Sequence, residues 1–245
     1  MLSKTIVKYI QSLSHKKFRD EYGLFIAEGP KVVTEFLTSG IFKCKIICAA
    51  ESWMDEHKDV TGHAEDIFGV TEYELEKISL LKTPNKVVAV FYQRTENKAD
   101  LKDHISLMLD EIQDPGNMGT IIRTADWFGI KNIICSPGCA DSYNPKVVQA
   151  TMGSLARINI IYTDLEIFIR ENESITLYAT ALDGKNVLGM KKIREGIILI
   201  GNESKGIKED LLKLASEKIT IPGSGGAESL NAGVAAGIIL SHLSG

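Results

Sequence analysis

The chain is poor in the features that would mark a secreted, membrane-spanning or charge-coated protein. It has four cysteines in 245 residues, at Cys44, Cys48, Cys135 and Cys139. These form two C-x3-C pairs without a histidine at finger-like spacing, so no metal site is assigned. Cys44 and Cys48 lie in a strand-like run where buried free thiols are common, and the expected compartment is a reduced, cytoplasmic one. Long apolar runs are also missing. The longest, roughly 232 to 243, carries Gly, Ser and His and is too short to span a bilayer, so no membrane association is expected. The first residues include Lys4 and Lys8 and lack an apolar core, so no secretory signal is expected. Excess positive charge is absent: 28 Lys+Arg stand against 32 Asp+Glu, a net charge of −4, which argues against coating nucleic acid by bulk charge. A local basic segment remains. Lys4, Lys8, Lys16, Lys17 and Arg19 are uninterrupted by any acid, and they suit either a solvated helix or contact with RNA phosphates. Neither G-x-G-x-x-G nor the full H-x-E…P-C-x-x-C deaminase signature occurs, which disfavours a nicotinamide dehydrogenase and a zinc deaminase.

What is there reads as two α/β units. Residues 3 to 14 show helical apolar spacing at Ile6, Val7, Ile10 and Leu13. A strand follows over 23–27, and Pro30 is placed to open a helix that buries Val32, Val33, Phe36 and Leu37 and ends near Ser39-Gly40. Strands are expected at 43–49, 66–70 and 86–93, with a helix over 71–81 opened by a Thr71/Glu74 capping box. Residues 94 to 103 are polar and aperiodic and suit a linker, giving domains at 1–94 and 104–245. From residue 105 strands and helices alternate regularly. Strands fall at 105–111, 131–136, 157–162, 174–180, 195–200 and 217–221, and helices at 117–129, 144–152, 164–172, 208–215 and 229–243. Continuous apolar strands such as Ile197 to Ile200 indicate a mostly parallel sheet covered by helices on both faces. In such sheets ligands bind beyond the carboxyl ends of the strands.

Three loops at those ends stand out. In the first, Asp114-Pro115-Gly116 turns the chain, Asn117 occupies an N-cap-like place, and Arg123 lies on the second turn. In isolation this is a capped helix with an arginine. The second, Gly201 to Gly206, has a glycine at each end, which permits a tight turn or a close ligand. It lacks the Lys-Ser/Thr pair of a triphosphate loop, because Ile207 follows Gly206. The third is a Gly-rich stretch after Pro222 that leads to Ser229-Leu230-Asn231 and a helix rich in small residues. Interior glycines cost about 1 kcal/mol each against alanine, so close packing or a crowded ligand site must offset them.

Together, in this order, the three loops resemble the signature motifs of the SpoU/TrmH family of RNA ribose 2′-O-methyltransferases. Asn117 to Arg123 is similar to the first, Gly201-x-Glu203-x-x-Gly206 to the second, and Pro222 through Ser229, Leu230 and Asn231 to the third. Phe25 to Lys31 resembles the small L30e-like substrate-binding domain that precedes the catalytic domain in many members. The resemblance implies a deep trefoil knot in the C-terminal domain, S-adenosylmethionine as cofactor, RNA as substrate and a homodimer. Ribosomal RNA is the expected target, with tRNA, or RNA binding without catalysis, as alternatives.

It further implies that Gly201, Ile221 and Leu230 line the cofactor pocket with Thr180 and Ala181. Arg123 would act at the 2′-hydroxyl, with Asn117, Glu203, Ser229 and Asn231 as its catalytic partners. Gln149 replaces a basic residue common in the family, which leaves Lys146 and Arg157, with Lys16, Lys17 and Arg19, as the candidates for RNA contact.

Overall fold

The computed structural model describes residues 2–62, 64–95 and 98–244. It divides into two compact units, one formed by Met1–Thr95 with Asp141–Ala156 and the other by Glu96–Ala140 with Arg157–Gly245. Residues 96 and 97 of the expected linker lie outside the described residues, and its other positions carry no helix or strand.

Unit 1 opens with α1 (Lys4–Ser12), whose first turn is capped by the Ser3 hydroxyl, and α2 (Lys16–Tyr22). The expected helical spacing stops at residue 14, because the seven-residue run of α2, opening on four consecutive basic or aromatic side chains, carries little periodicity. Gly23 ends it at φ 62°, a left-handed conformation that suits glycine. Then come β1 (Leu24–Glu28), α3 (Pro30–Ser39), β2 (Cys44–Ala49), α4 (Glu51–Glu56), α5 (Lys58–Thr61), β3 (Asp66–Gly69), α6 (Glu72–Ile78) and β4 (Val87–Tyr92). The capping box at Thr71 and Glu74 is present in full. The sheet order is β1-β4-β2-β3, antiparallel except for β2 with β3.

One face of this sheet buries Leu24, Ile26, Val88 and Val90 with Ile10 of α1 and Leu13, the residue that ends that helix. A second cluster is aromatic: Phe25 lies 5.8 Å from Phe36 and from Phe91, and 4.7 Å from Tyr143. Tyr143 explains why a segment from the second half of the chain belongs here. Helix α8 (Pro145–Thr151) follows it. Gly153 then passes so close to α3 that a Cβ there would meet the Glu35 Cβ at 2.8 Å.

Unit 2 contains β5 (Ile105–Leu109), α7 (Pro115–Trp127), β6 (Asn132–Cys135), β7 (Asn159–Tyr162), α9 (Leu165–Glu171), β8 (Leu177–Asn186), β9 (Gly196–Ile200), α10 (Glu209–Lys213), β10 (Glu217–Thr220) and α11 (Ala232–Leu243). Six strands lie in the order β10-β8-β9-β5-β6-β7, and every pairing is parallel. All residues of β5 and β9 are buried, as strands covered on both faces must be. Leu165 and Ile169 of α9 and Leu211 of α10 pack on the face bearing Met108, Ile134, Ala179 and Leu199. The chain moves from β5 outward through β6 and β7 and later returns to the other side of β5. The adjacent carboxyl ends of β5 and β9, where Leu109 pairs with Ile200, therefore mark the switch point at which parallel sheets bind ligands.

Among the described residues no helix is long and apolar enough to cross a membrane, and no group of three His, Cys, Asp or Glu could hold a metal ion.

Candidate active site

The first loop leaves β5 and enters α7 differently from the sequence expectation. Asp114, rather than Asn117, is the N-cap: its Oδ1 accepts from the Asn117 amide at 2.8 Å, and Pro115 supplies the first helical residue. The correction has a physical reason, since proline is favoured at the first helical position and its capping residue must then precede it. Asn117 thus sits within the first turn with its side-chain amide free for other work.

The second loop closes on itself. Asn202 and Gly206 exchange two backbone hydrogen bonds, of 3.1 and 2.8 Å, and the Asn202 side chain accepts from the amides of Ser204 and Lys205. A Cβ at Gly201 would lie 2.4 Å from the Gly206 carbonyl carbon. The loop's own backbone therefore requires that glycine.

The third helix starts later than expected, at Ala232, because Asn231 and not Ser229 caps it. Asn231 Oδ1 accepts from the amides of Gly233 at 3.0 Å and Val234 at 3.2 Å. Gly233 then abuts α7, where a Cβ would meet Thr120 Cγ2 at 2.8 Å. Close helix packing thus accounts for this glycine, which the sequence left open between packing and a ligand.

These three local structures converge on one hydrogen-bond chain. Asn231 Nδ2 donates to Asn117 Oδ1 at 2.7 Å, and Asn117 Nδ2 donates to Glu203 Oε1. The capping bonds fix the orientation of both amides. Because Asn231 Oδ1 faces backbone N–H groups, its nitrogen must face Asn117, so Asn117 must present its oxygen there and its nitrogen to the carboxylate.

An acidic pair at the end of β5, not singled out from the sequence, braces the second loop. Asp110 is 1% exposed and accepts from the Lys208 amide at 3.0 Å. Glu111 takes φ 55°, a left-handed conformation uncommon for a residue with a Cβ. Its carbonyl accepts from Asn202 Nδ2 at 2.9 Å and its carboxylate meets Lys208 Nζ at 2.8 Å. The bond to Lys208 holds the Glu111 carboxyl below its ordinary range, and the same bond raises Lys208. The available signal was two consecutive acids ending a buried strand, where a burial cost demands partners.

The remaining candidates fall into distinct places. Arg123 is exposed on α7, six residues and about 9 Å of helix axis beyond Asn117. It has no hydrogen-bond or ion-pair partner among the described residues, so helix α7 alone carries it. Ser229 and Leu230 lie exposed in the irregular stretch before α11. Ala179 pairs with Leu199 at the end of the β8–β9 ladder, and Thr180 and Ala181 follow directly beyond it. The register between β8 and β10 jumps from Ala179 opposite Lys218 to Lys185 opposite Ile219, and so passes over Thr180 to Gly184. At the same ends Leu182 is 84% and Leu230 45% exposed.

The RNA candidates divide between the units. Lys16, Lys17 and Lys146 are exposed in unit 1. Arg19 corrects the sequence expectation. It is 1% exposed, donates to the carbonyls of Leu13 and Ser14, and pairs with Asp141 at 2.6 Å, so its guanidinium is a structural tie and is not available to a phosphate. In unit 2 Arg157 remains exposed, but its fork grips Asp126, with Nε 3.0 Å from both carboxylate oxygens.

Comparison with known proteins agrees with this geometry. Residues 104–241 match the SpoU rRNA methylase family, and residues 4–89 match the MRM3-like substrate binding domain. The chain is similar to the 23S rRNA (guanosine(2553)-2′-O)-methyltransferase RlmP of Bacillus subtilis, with 31% identity over 98% of this chain and 96% of that protein. An AdoMet-bound rRNA methyltransferase structure from Sinorhizobium meliloti superposes with TM-score 0.87 at 34% identity, over 99% of this chain and 95% of that one. A TrmH-family structure from Porphyromonas gingivalis gives TM-score 0.88 at 33% identity, over 99% and 98% of the two chains.

Proposed function

Because the chain belongs to the SpoU rRNA methylase family, we propose that unit 2 transfers a methyl group from S-adenosylmethionine to a ribose 2′-hydroxyl of ribosomal RNA. The hydrogen-bond chain from Asn231 through Asn117 to Glu203 carries this reading. It ties together the three loops near the switch point.

Bound S-adenosylmethionine supplies an already activated methyl group on a sulfonium. The protein's task is therefore alignment of donor and acceptor, worth up to about 7–11 kcal/mol, and stabilisation of the oxygen as it loses its proton. Gly201, Ile221 and Leu230, with Thr180 and Ala181, are the residues to hold the cofactor. Arg123 is the residue to meet the ribose. A guanidinium stays protonated and is a poor base, so its role is to bind the adjoining phosphate through its fork and stabilise the developing alkoxide. Glu203, Asn117 and Asn231 keep the loops in register around that reaction, and Ser229, exposed two residues before Asn231, is a further polar candidate. Lys16, Lys17 and Lys146 of the substrate-binding unit and Arg157 are the candidates for phosphate contact.

The trefoil knot and a homodimer joined through the catalytic domain belong to the same proposal. A monomer mass that does not change with concentration would remove the homodimer.

The test is incubation of the purified protein with S-adenosylmethionine labelled in its methyl group and in vitro transcribed 23S rRNA, followed by mapping of 2′-O-methyl positions. Label at one ribose is the expected result. Label on a base nitrogen, or no transfer to ribosomal RNA while tRNA is labelled, would overturn the assignment.

A further inference from the structure

Glu111 lies two residues past β5 and takes φ 55°. Among the described residues with a Cβ, Lys86, Asp103 and Met152 share this left-handed region. Lys86 and Asp103 precede β4 and β5, and Met152 caps α8. Glu111 alone of the four follows the carboxyl end of a strand, where Leu109 pairs with Ile200 at the switch point. A disfavoured backbone conformation persists only where its surroundings hold it, and such residues gather at working sites.

The groups that hold Glu111 can be named. Its N–H donates to Ser136 Oγ at 2.9 Å, in the loop after β6. Gly138 of that loop packs on its side chain, where a Cβ would meet Glu111 Cγ at 3.1 Å. Its carbonyl accepts from Asn202 Nδ2 in the loop after β9. Loops from three neighbouring strands, β6, β5 and β9, therefore meet on one residue. Rotating φ turns the carbonyl relative to the N–H, so a residue that avoids positive φ loses one of the two bonds. The carboxylate matters less. Its partners Lys205 and Lys208 have side chains 75% and 56% exposed, so water screens both pairs.

Asn202 passes this position on. Its Oδ1 accepts from the amides of Ser204 and Lys205, so Nδ2 is the group that faces the Glu111 carbonyl. Glu203 comes next in the chain and begins the series to Asn117 and Asn231. The second loop is thus held from one side by Asn117 and from the other by Glu111.

We propose that Glu111 is a positioning residue for methyl transfer, acting through its backbone carbonyl and Asn202 on the loop that carries Glu203. This rests on the ribose-methylation reading above and adds a residue to it.

The experiment separates backbone from carboxylate in the whole chain. Glu111→Val removes the charge and resists positive φ, where a β-branched residue is an outlier. Glu111→Asn removes the same charge but tolerates the left-handed region. Asn202→Asp keeps an oxygen for the Ser204 and Lys205 amides and cannot donate to the Glu111 carbonyl. It also leaves β5 untouched should Glu111→Val fold poorly. With saturating S-adenosylmethionine and 23S rRNA, kcat should fall about 10- to 100-fold in Glu111→Val and Asn202→Asp. KM for the rRNA should not move, and Glu111→Asn should recover most of the lost kcat. Amide hydrogen exchange over residues 201–207 should quicken about ten-fold in the first and last of these variants and not in Glu111→Asn. Equal kcat in Glu111→Val and Glu111→Asn would overturn the proposal: high values would take Glu111 out of the reaction, and low ones would give its role to the carboxylate. Wild-type turnover in Asn202→Asp would overturn it as well. Exchange is read without turnover. A wild-type chain that transfers no methyl group to ribose, with exchange still in this order, would refute the enzymatic reading and leave the hold of Glu111 on the loop standing.

Discussion

Unit 1 and unit 2 put an arginine to opposite uses. In unit 1, Arg19 is sunk to 1% exposure, and all its bonds go to carbonyls of Leu13 and Ser14 and the carboxylate of Asp141. In unit 2, Arg123 stands exposed on α7 with no partner among the described residues. A buried guanidinium must be fully paired, because an uncompensated charge away from water is expensive. An exposed one carries no such demand and is free to meet a ligand. A charged side chain with a complete set of bonds is holding a fold, and one without partners beside an organised site is available for chemistry.

The strongest test of the contrast is Arg19→Met. It should cost unit 1 up to about 3 kcal/mol, read by urea unfolding, because the half-buried Asp141 loses its counter-ion and the carbonyls of Leu13 and Ser14 lose their donor. Binding of S-adenosylmethionine should persist wherever unit 2 remains folded. Arg123→Lys should do the reverse, with turnover falling about 100- to 1000-fold, since the charge is kept and the fork is lost. Cofactor affinity and the thermal midpoint should not move. Near-normal turnover would take Arg123 out of the mechanism and erase the comparison.

Asn231 sharpens it, because one side chain serves both purposes. Asn231→Ala should cost about 0.5–2 kcal/mol as a lost N-cap and should also reduce turnover. Asn231→Asp keeps an oxygen for the amides of Gly233 and Val234 but cannot donate to Asn117. Stability near wild type with turnover as low as in the alanine variant is the expected pairing. If both recover, the bond to Asn117 has no catalytic meaning.

The smallest effect concerns Glu28, a buried carboxylate of unit 1. Burial pushes its pKa above the ordinary value, although Ser79 Oγ and the Leu80 amide donate to it at 2.5 and 2.8 Å. The folded form therefore keeps a proton that the unfolded chain has already released. Its contribution to stability is present below the unfolded pKa and is lost as pH rises through the folded one. Glu28→Gln should flatten that loss and leave the protein slightly more stable near neutrality, read as thermal midpoints across pH. A steeper decline in the variant would reverse the sign of the argument.

Much of the secondary structure was legible because it follows from local rules. The capping box at Thr71 and Glu74, Pro30 at the start of α3 and the apolar runs of β5 and β9 each express a preference of a few neighbouring residues. The boundaries that went astray did so for equally local reasons. Pro115 moved the cap from Asn117 to Asp114, and the Asn231 cap set the start of α11 at Ala232 instead of 229. Short helices such as α2, α4 and α5 escaped notice, since a turn or two leaves little periodicity to detect. The roles of Asp110 and Glu111 escaped for another reason. Two acids after a strand look like a surface turn until Lys208 and Asn202 are brought to them from almost a hundred residues away.

By itself the sequence determined the alternation of strands and helices in unit 2 and the identity of the three loops at its strand ends. Hydrophobic period and turn chemistry act within a few residues, so both are written locally. Only the tertiary structure decided which groups meet: that Asn231, Asn117 and Glu203 bond in series, that Arg19 is interior, and that residues 141–156 pack with unit 1 through Tyr143 and Asp141. Those outcomes depend on strand order and on burial, which no short window of residues contains.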